Sequence, residues 1–369
     1  MNKAVKTVHV HEPAFHIIKR DAIVWWKAWC IRIAAVLLAL VACGIVTLSL
    51  TGLNPVDVYV KMFEGAVGTG RLRWNLVQNV AILLCISLAV TPAFKMRFWN
   101  IGAEGQALIG GLATATCMIF LGGKVPTPVL FAAMVVSSIA AGAVWAVIPA
   151  IFKARFRANE TLFTLMMNYI AIQLVAYFTL EWSVPKGSGT PRTLEFGQFP
   201  IIADQRYLLN IIIVAVITVA MYIYLNYSKH GYEISVVGES ENTARYIGIN
   251  IKHVITRTMI LSGALCGITG LLLVAGTEHS LKSDTIGGRG FTAIMVSWLA
   301  KFNPIFMVLT SFLIVFLEKG ASKISESFQL NSSFSDIITG IIIFFIIGSE
   351  FFINYKIKVR SEKSGEASK

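Results

Sequence analysis

The sequence predicts an all-α polytopic membrane protein with about ten transmembrane helices, and three observations carry that prediction. Of 369 residues, 56% are apolar, only 14% are charged and the mean hydropathy is +0.69, whereas a soluble domain keeps about a quarter of its residues charged. Apolar runs long enough to cross roughly 30 Å of hydrocarbon recur along almost the whole chain. In a polytopic chain each such run satisfies its own backbone as a helix. The third observation is charge bias. With the N-terminus inside and ten spans following, the inner segments hold roughly 20 Lys and Arg against roughly 11 elsewhere, which is the positive-inside sense and sets an N-in/C-in topology. The net charge of +12 thus follows the membrane, not a nucleic acid.

In order, the predicted helices run Ile31–Leu50, Asn75–Ala93, Trp99–Leu121, Pro128–Phe152, Leu162–Leu180, Leu208–Leu225, Met259–Thr277, Ile286–Ala300, Pro304–Leu317 and Ile337–Ile353. Trp25, Trp26, Trp29, Trp74, Trp99 and Trp182 fall near their ends, where amphipathic indoles favour the headgroup level. The first helix lies too late in the chain for a cleaved signal peptide and stays as an anchor. Residues 1–29 read as a basic cytoplasmic leader, residues 30–356 as the transmembrane domain and residues 357–369 as a cytoplasmic tail. His9, His11 and His16 in the leader have no acid or cysteine cluster to complete a metal site. Cys30, Cys43, Cys85, Cys117 and Cys266 lie in or beside apolar runs without CxxC spacing, as small core residues.

Three loops have a character of their own. Thr51–Trp74, outside, is apolar enough for a short interfacial helix, and the Gly- and Pro-rich stretch 182–207 predicts a non-helical outer cap. The loop 228–257, inside, holds the polar segment GYEISVVGESENTARYIGINI from Gly231 to Ile251. There Ser240 caps a short helix, Glu241 suits its positive end and Gly248 takes a left-handed stop. So short a helix is not stable alone, and packing on a partner would order it.

Polar groups inside the spans are costly, so each needs a reason. In FWNIGAEGQ, Phe98 to Gln106, Asn100 is placed to cap a helix and Glu104 to meet its dipole. Glu104 and Gln106 read either as part of an inner-boundary cap or as groups in a permeation path. Thr161, Thr164 and Asn168 form an i, i+3, i+7 stripe beside Met166, Met167 and Tyr169. That stripe suits a neutral, hydroxyl-rich or ring-bearing solute, or else hydrogen-bonds to a neighbouring helix. Ser262, Cys266 and Thr269 share one face of the seventh span, and Gly263, Gly267 and Gly270 share a packing face. Asn75, Gln78 and Asn79 make an amide patch near the outer end of the second. Trp99–Gly105 and Thr285–Phe291, five spans apart, suggest two inverted five-helix repeats.

No GxxxxGK[ST], HExxH or GxSxG motif is present, so any ATP-dependent energy must come from another chain. A secondary transporter or channel is the alternative, but a proton- or sodium-coupled carrier would place ionisable residues deep in its spans. A membrane-embedded enzyme lacks a catalytic constellation.

Four segments together resemble one family. They are Phe98–Gln106; Asn159-Glu160 with TLMMNYIA from Thr164 to Ala171; HGYEISVVGESENTARYIGI from His230 to Ile249; and Gly288–Phe291 with Asn303-Pro304. The chain resembles the permease subunit of bacterial ABC importers of the ribose and branched-chain amino acid type, most closely the simple-sugar and nucleoside branch. The resemblance implies a permease without catalytic residues, metal or cofactor of its own, in the plasma (inner) membrane. ATP and Mg would sit on a cytoplasmic ABC ATPase, with a second permease subunit forming a heterodimer and an extracytoplasmic substrate-binding lipoprotein feeding the pair. It further implies that Glu239, Ser240, Asn242, Ala244, Arg245, Tyr246 and Gly248 couple to the ATPase. Asn79, Asn100, Glu104, Gln106, Thr164, Asn168 and Tyr169 are the candidates for the translocation path. Met295-Val-Ser-Trp-Leu-Ala-Lys301 departs from the family's small apolar run before Asn-Pro, and the second span lacks a proline expected ahead of Pro92.

Overall fold

A computed structural model describes residues 15–20 and 23–359; His9, His11 and all but the first three residues of the 357–369 tail lie outside the described residues. The larger of two compact units, Glu64–Lys319, contains most of the helices. After the end of α2 (Pro55–Val67) come α3 (Gly70–Lys95), α4 (Ala103–Leu121), α5 (Thr127–Phe156), α6 (Glu160–Trp182) and α7 (Leu208–Tyr227). Two short helices, α8 (Lys229–Glu239) and α9 (Glu241–Tyr246), lead into α10 (Ile251–Leu273), which runs on into a π-helical turn, Val274–Glu278. Then follow α11 (Arg289–Leu299) and α12 (Pro304–Ser327), whose last turns belong to the other unit.

Burial separates core from periphery. The apolar stretch of α3 is 89% buried and that of α10 78%, against 22–28% for α5, α6 and α7, so α3 and α10 form the centre. Small residues set the spacing around α10. A Cβ on Gly142 would lie 2.9 Å from the Gly267 Cα, and one on Gly263 would lie 2.9 Å from the Gly142 carbonyl carbon. Such close approach is how helices attract one another in lipid, where burial of apolar surface offers no gain. The packing role expected of Gly263, Gly267 and Gly270 is met.

The smaller unit joins the described part of Met1–Phe63 to Gly320–Lys369. In it α1 (Trp25–Thr51) lies beside α13 (Ser332–Asn354), tied by Arg32 Nη2 to Glu350 Oε1 at 2.6 Å. Strand β1 (Phe15–Lys19) leads into α1, and β2 (Tyr355–Val359) follows α13. They pair antiparallel with Phe15 opposite Val359 and Lys19 opposite Tyr355. The chain therefore enters its first span and leaves its last on one side of the membrane.

That pairing bears on the main correction. Among the described residues nine helices are long and apolar enough to span, and nine crossings would put the ends on opposite sides. The predicted eighth helix, Ile286–Ala300, is replaced by the 11 residues of α11, about 16 Å long at 1.5 Å per residue. Gly287 and Gly288, at φ +65° and +75°, hold left-handed conformations that a helix cannot continue through. The eighth crossing is instead broken. Leu281 accepts a hydrogen bond from Thr179 near the end of α6, the chain then descends without helix to Gly288, and α11 completes the passage. Nine spanning helices and this broken eighth passage are consistent with the even count that the paired ends require. Elsewhere α2 is a short helix within the 51–74 loop, where one is expected, the stretch 183–207 has no helix, and α12 runs ten residues beyond the predicted Leu317 to Ser327.

Candidate translocation and coupling sites

The break is held by Glu104. From the first turn of α4 its Oε1 accepts the Gly288 N–H at 2.8 Å and its Oε2 accepts the Gly290 N–H at 2.7 Å. Those N–H groups open α11, so the carboxylate sits at the positive end of that helix and its charge is met there. Arg289, between them, donates instead to Asn79 Oδ1 at 2.9 Å. A Cβ on Gly290 would lie 2.7 Å from the Glu104 N, which is why glycine stands there. The two glycine-bearing segments that suggested a repeat thus touch each other.

The remaining polar groups expected in a path form a brace around the turn before α4. Asn168 donates to the Ile101 carbonyl at 2.7 Å and accepts the Gly105 N–H at 2.8 Å. Thr164 donates to the Glu160 carbonyl at 2.7 Å and accepts the Ile101 N–H at 3.2 Å. Asn100 donates to Ser262 Oγ at 3.1 Å and accepts from Gly102 N at 3.0 Å and Gln106 Nε2 at 3.1 Å. Asn100 therefore closes the turn; the residue at the cap position of α4 is Gly102. Gln78 Nε2 donates to Thr277 Oγ1 at 2.7 Å, so it and Asn79 both point into the subunit. Of the seven path candidates Tyr169 alone is exposed.

The loop between α7 and α10 is a built element. Ser240 Oγ accepts the Thr243 N–H at 3.3 Å, Glu241 occupies the first turn of α9, and Gly248 stands at φ +83°, each as the sequence predicts. The sequence gives less warning of α8, capped by Ser228 through the Gly231 N–H at 3.0 Å. Ile234, Val237 and Ala244 bury against Met96, Phe98, Ile251, Val254 and Met259 in a second apolar cluster. The loop is thereby packed onto the turn that joins α3 to α4. Arg257, on α10, donates to Glu233 Oε2 on α8 at 2.9 Å. Burial works to raise the Glu233 pKa, but the Arg257 hydrogen bond and charge, aided by Lys229 and His230, hold it below the usual carboxylate range. What faces outward is Glu239, Asn242, Arg245 and, at 93% exposure, Tyr246, with Ile247 beside it. Ala244 is the buried anchor and Ser240 the cap.

Residues 73–347 match the family model described as branched-chain amino acid transport system / permease component. The chain belongs to that family. Among curated relatives it is 29% identical to a glucose ABC transporter permease of Haloferax volcanii, over 92% of each chain. It is 28% identical to a guanosine ABC transporter permease of Bacillus subtilis, over 86% of this chain and 93% of that one. A nucleoside ABC transporter permease of Lactococcus lactis matches at 25% over 88% and 93%. The chain is an ABC transporter permease subunit and a multi-pass membrane protein, and the secondary-transporter alternative is set aside.

One surface of this permease escaped the sequence reading. The exposed residues of α5 from Val129 to Ile151 and of α7 from Ile212 to Ile223 are all apolar, as lipid requires. On α6 the exposed face carries Met166, Tyr169, Gln173 and Tyr177. Gln173 makes no hydrogen bond among the described residues, and an unpaired amide in the middle of a span does not belong against hydrocarbon. The signal was present as an i, i+3, i+7, i+11 spacing through 166, 169, 173 and 177, of which the sequence reading noted Met166 and Tyr169 beside Thr164 and Asn168 but did not extend the face to Gln173 and Tyr177.

Proposed function

We propose that this permease carries a nucleoside or simple sugar inward across the plasma membrane by ATP-driven alternating access. The observation that carries the solute class is the α6 stripe. Its phenols, amide and thioether are uncharged and offer ring faces, donors and acceptors suited to a neutral hydroxylated ring. The positive start of α11 supports the same reading, because Glu104 already occupies it and no anionic group of a solute is needed there. The names of the glucose, guanosine and nucleoside relatives agree with a neutral solute.

In this reading a cytoplasmic ABC ATPase binds ATP and Mg and docks on Glu239, Asn242, Arg245, Tyr246 and Gly248, with Ser240 and Ala244 holding the shape of the surface. The permease itself performs no chemistry. A second permease subunit completes the path against the α6 face as a heterodimer, and a binding lipoprotein delivers solute to the outer cap. Tyr169, Gln173 and Tyr177 face the solute, while Asn79, Asn100, Glu104, Gln106, Thr164 and Asn168 shape the wall. Reconstitution with these partners tests the solute class through uptake of labelled nucleosides, hexoses and leucine. A nucleoside or hexose should accumulate and leucine should not, and Gln173→Leu should slow uptake about tenfold, near 1.4 kcal/mol of lost stabilisation, with assembly unchanged. Leucine uptake alone, or full rates in both Gln173→Leu and Tyr177→Leu, contradicts the proposal.

A further inference from the structure

We propose that Glu104 is the positioning residue of the broken crossing, clasping α11 to the start of α4 so that the two move as one body. The same short piece of chain holds α11 at both ends. At the N-terminal end stand the Glu104 bonds to Gly288 and Gly290. Near the C-terminal end Trp298 stacks on Trp99, ring centroids 5.8 Å apart and planes 28° apart, with Phe94 edge-on to both. Only four residues lie between Trp99 and Glu104. Along α3, Arg289 lies level with Asn79 and Ser297 with Ser87, whose carbonyl accepts the Ser297 hydroxyl at 3.0 Å.

The segment from Trp99 to Glu104 is itself fastened to α6 through Thr164 and Asn168 and to α10 through Asn100 and Ser262. Immediately before it, Met96 and Phe98 belong to the apolar cluster that seats α8 and α9. A displacement of those helices therefore reaches α11 through one continuous stretch of chain, residues 96–104. The Glu104 clasp is the link that a single change can open. A carboxylate accepts both N–H groups, whereas glutamine has one acceptor oxygen and alanine none. Loss of the clasp leaves the start of α11 held to α3 through Arg289 and Asn79, with the Trp99–Trp298 stack as its remaining tie to the 96–104 stretch.

The clasp does not depend on which solute is carried, and its test has an arm that needs no uptake. Spin labels at Phe291→Cys on α11 and Leu162→Cys on α6, both exposed positions, are placed in the assembled transporter after replacement of its natural cysteines. Pulsed electron paramagnetic resonance should give one narrow distance distribution with Glu104 and a broadened one with Glu104→Gln. In the unlabelled protein Glu104→Gln should lower maximal uptake about tenfold or more and leave the half-saturating solute concentration unchanged, with Glu104→Asp recovering part of the rate. An unbroadened distribution together with full uptake in Glu104→Gln overturns the proposal. If that variant does not assemble, Gly290→Ala, whose Cβ would press on the Glu104 N at 2.7 Å and Oε2 at 2.8 Å, carries the same measurement with the same two outcomes.

Discussion

At the scale of the residue, Asn168 illustrates how a polar side chain in a span is explained by its partners and not by its polarity. Its amide answers two backbone groups, the Ile101 carbonyl in the turn before α4 and the Gly105 N–H in the first turn of α4, which lipid cannot satisfy. Asn168→Leu should therefore destabilise the subunit by about 1–3 kcal/mol, the cost of stranding buried polar groups. The check is the unfolding midpoint in detergent compared with Gln173→Leu, which strands nothing and should leave it unchanged. Equal midpoints for wild type and Asn168→Leu would return Asn168 to the solute path. The sequence marked Asn168 as exceptional and left it either on a solute-facing stripe or hydrogen-bonded to a neighbouring helix; its bonds to Ile101 and Gly105 are of the second kind. Gln173 lies about 140° further round the same helix, and only the packing of α4 against α6 decides which face turns inward.

At the scale of the element, the α8–α9 loop was the most legible part of the chain because its signals are local. A serine cap, an acidic first turn and a glycine stop act within a few residues and need no tertiary context. The broken eighth crossing was the least legible, since the apolar run of α11 together with Ile286 and its two glycines reads from sequence as one short span. Its two positive-φ glycines were visible in the sequence, but their meaning depends on Glu104, 184 residues away from Gly288. The Glu233–Arg257 tie gives the loop a pH dependence whose sign is fixed. Because the folded Glu233 pKa is lowered, the tie stabilises fully above the ordinary glutamate value of about 4.3 and is lost as pH falls through the folded value. Glu233→Gln should therefore unfold more easily than wild type at pH 7, with the gap closing under stronger acid. Thermal unfolding in detergent across that range checks it, and a gap that widens on acidification would contradict the assignment.

At the scale of the whole molecule, about ten crossings with both ends on one side was already contained in the hydropathy and charge pattern. The β1–β2 pair provides independent support for the even count, while α11 alters the form of one crossing and not the number. The central claim is that ATP hydrolysis on another chain moves this permease through the α8–α9 loop. The most direct measurement is solute accumulation by proteoliposomes that contain the assembled transporter, with wild-type or Arg245→Glu permease, under an ATP supply or under proton and sodium gradients alone. The account predicts accumulation by the wild type with ATP, none with gradients, and its loss in Arg245→Glu although the subunits still assemble. Accumulation driven by an ion gradient without ATP, or undiminished in Arg245→Glu, would contradict it.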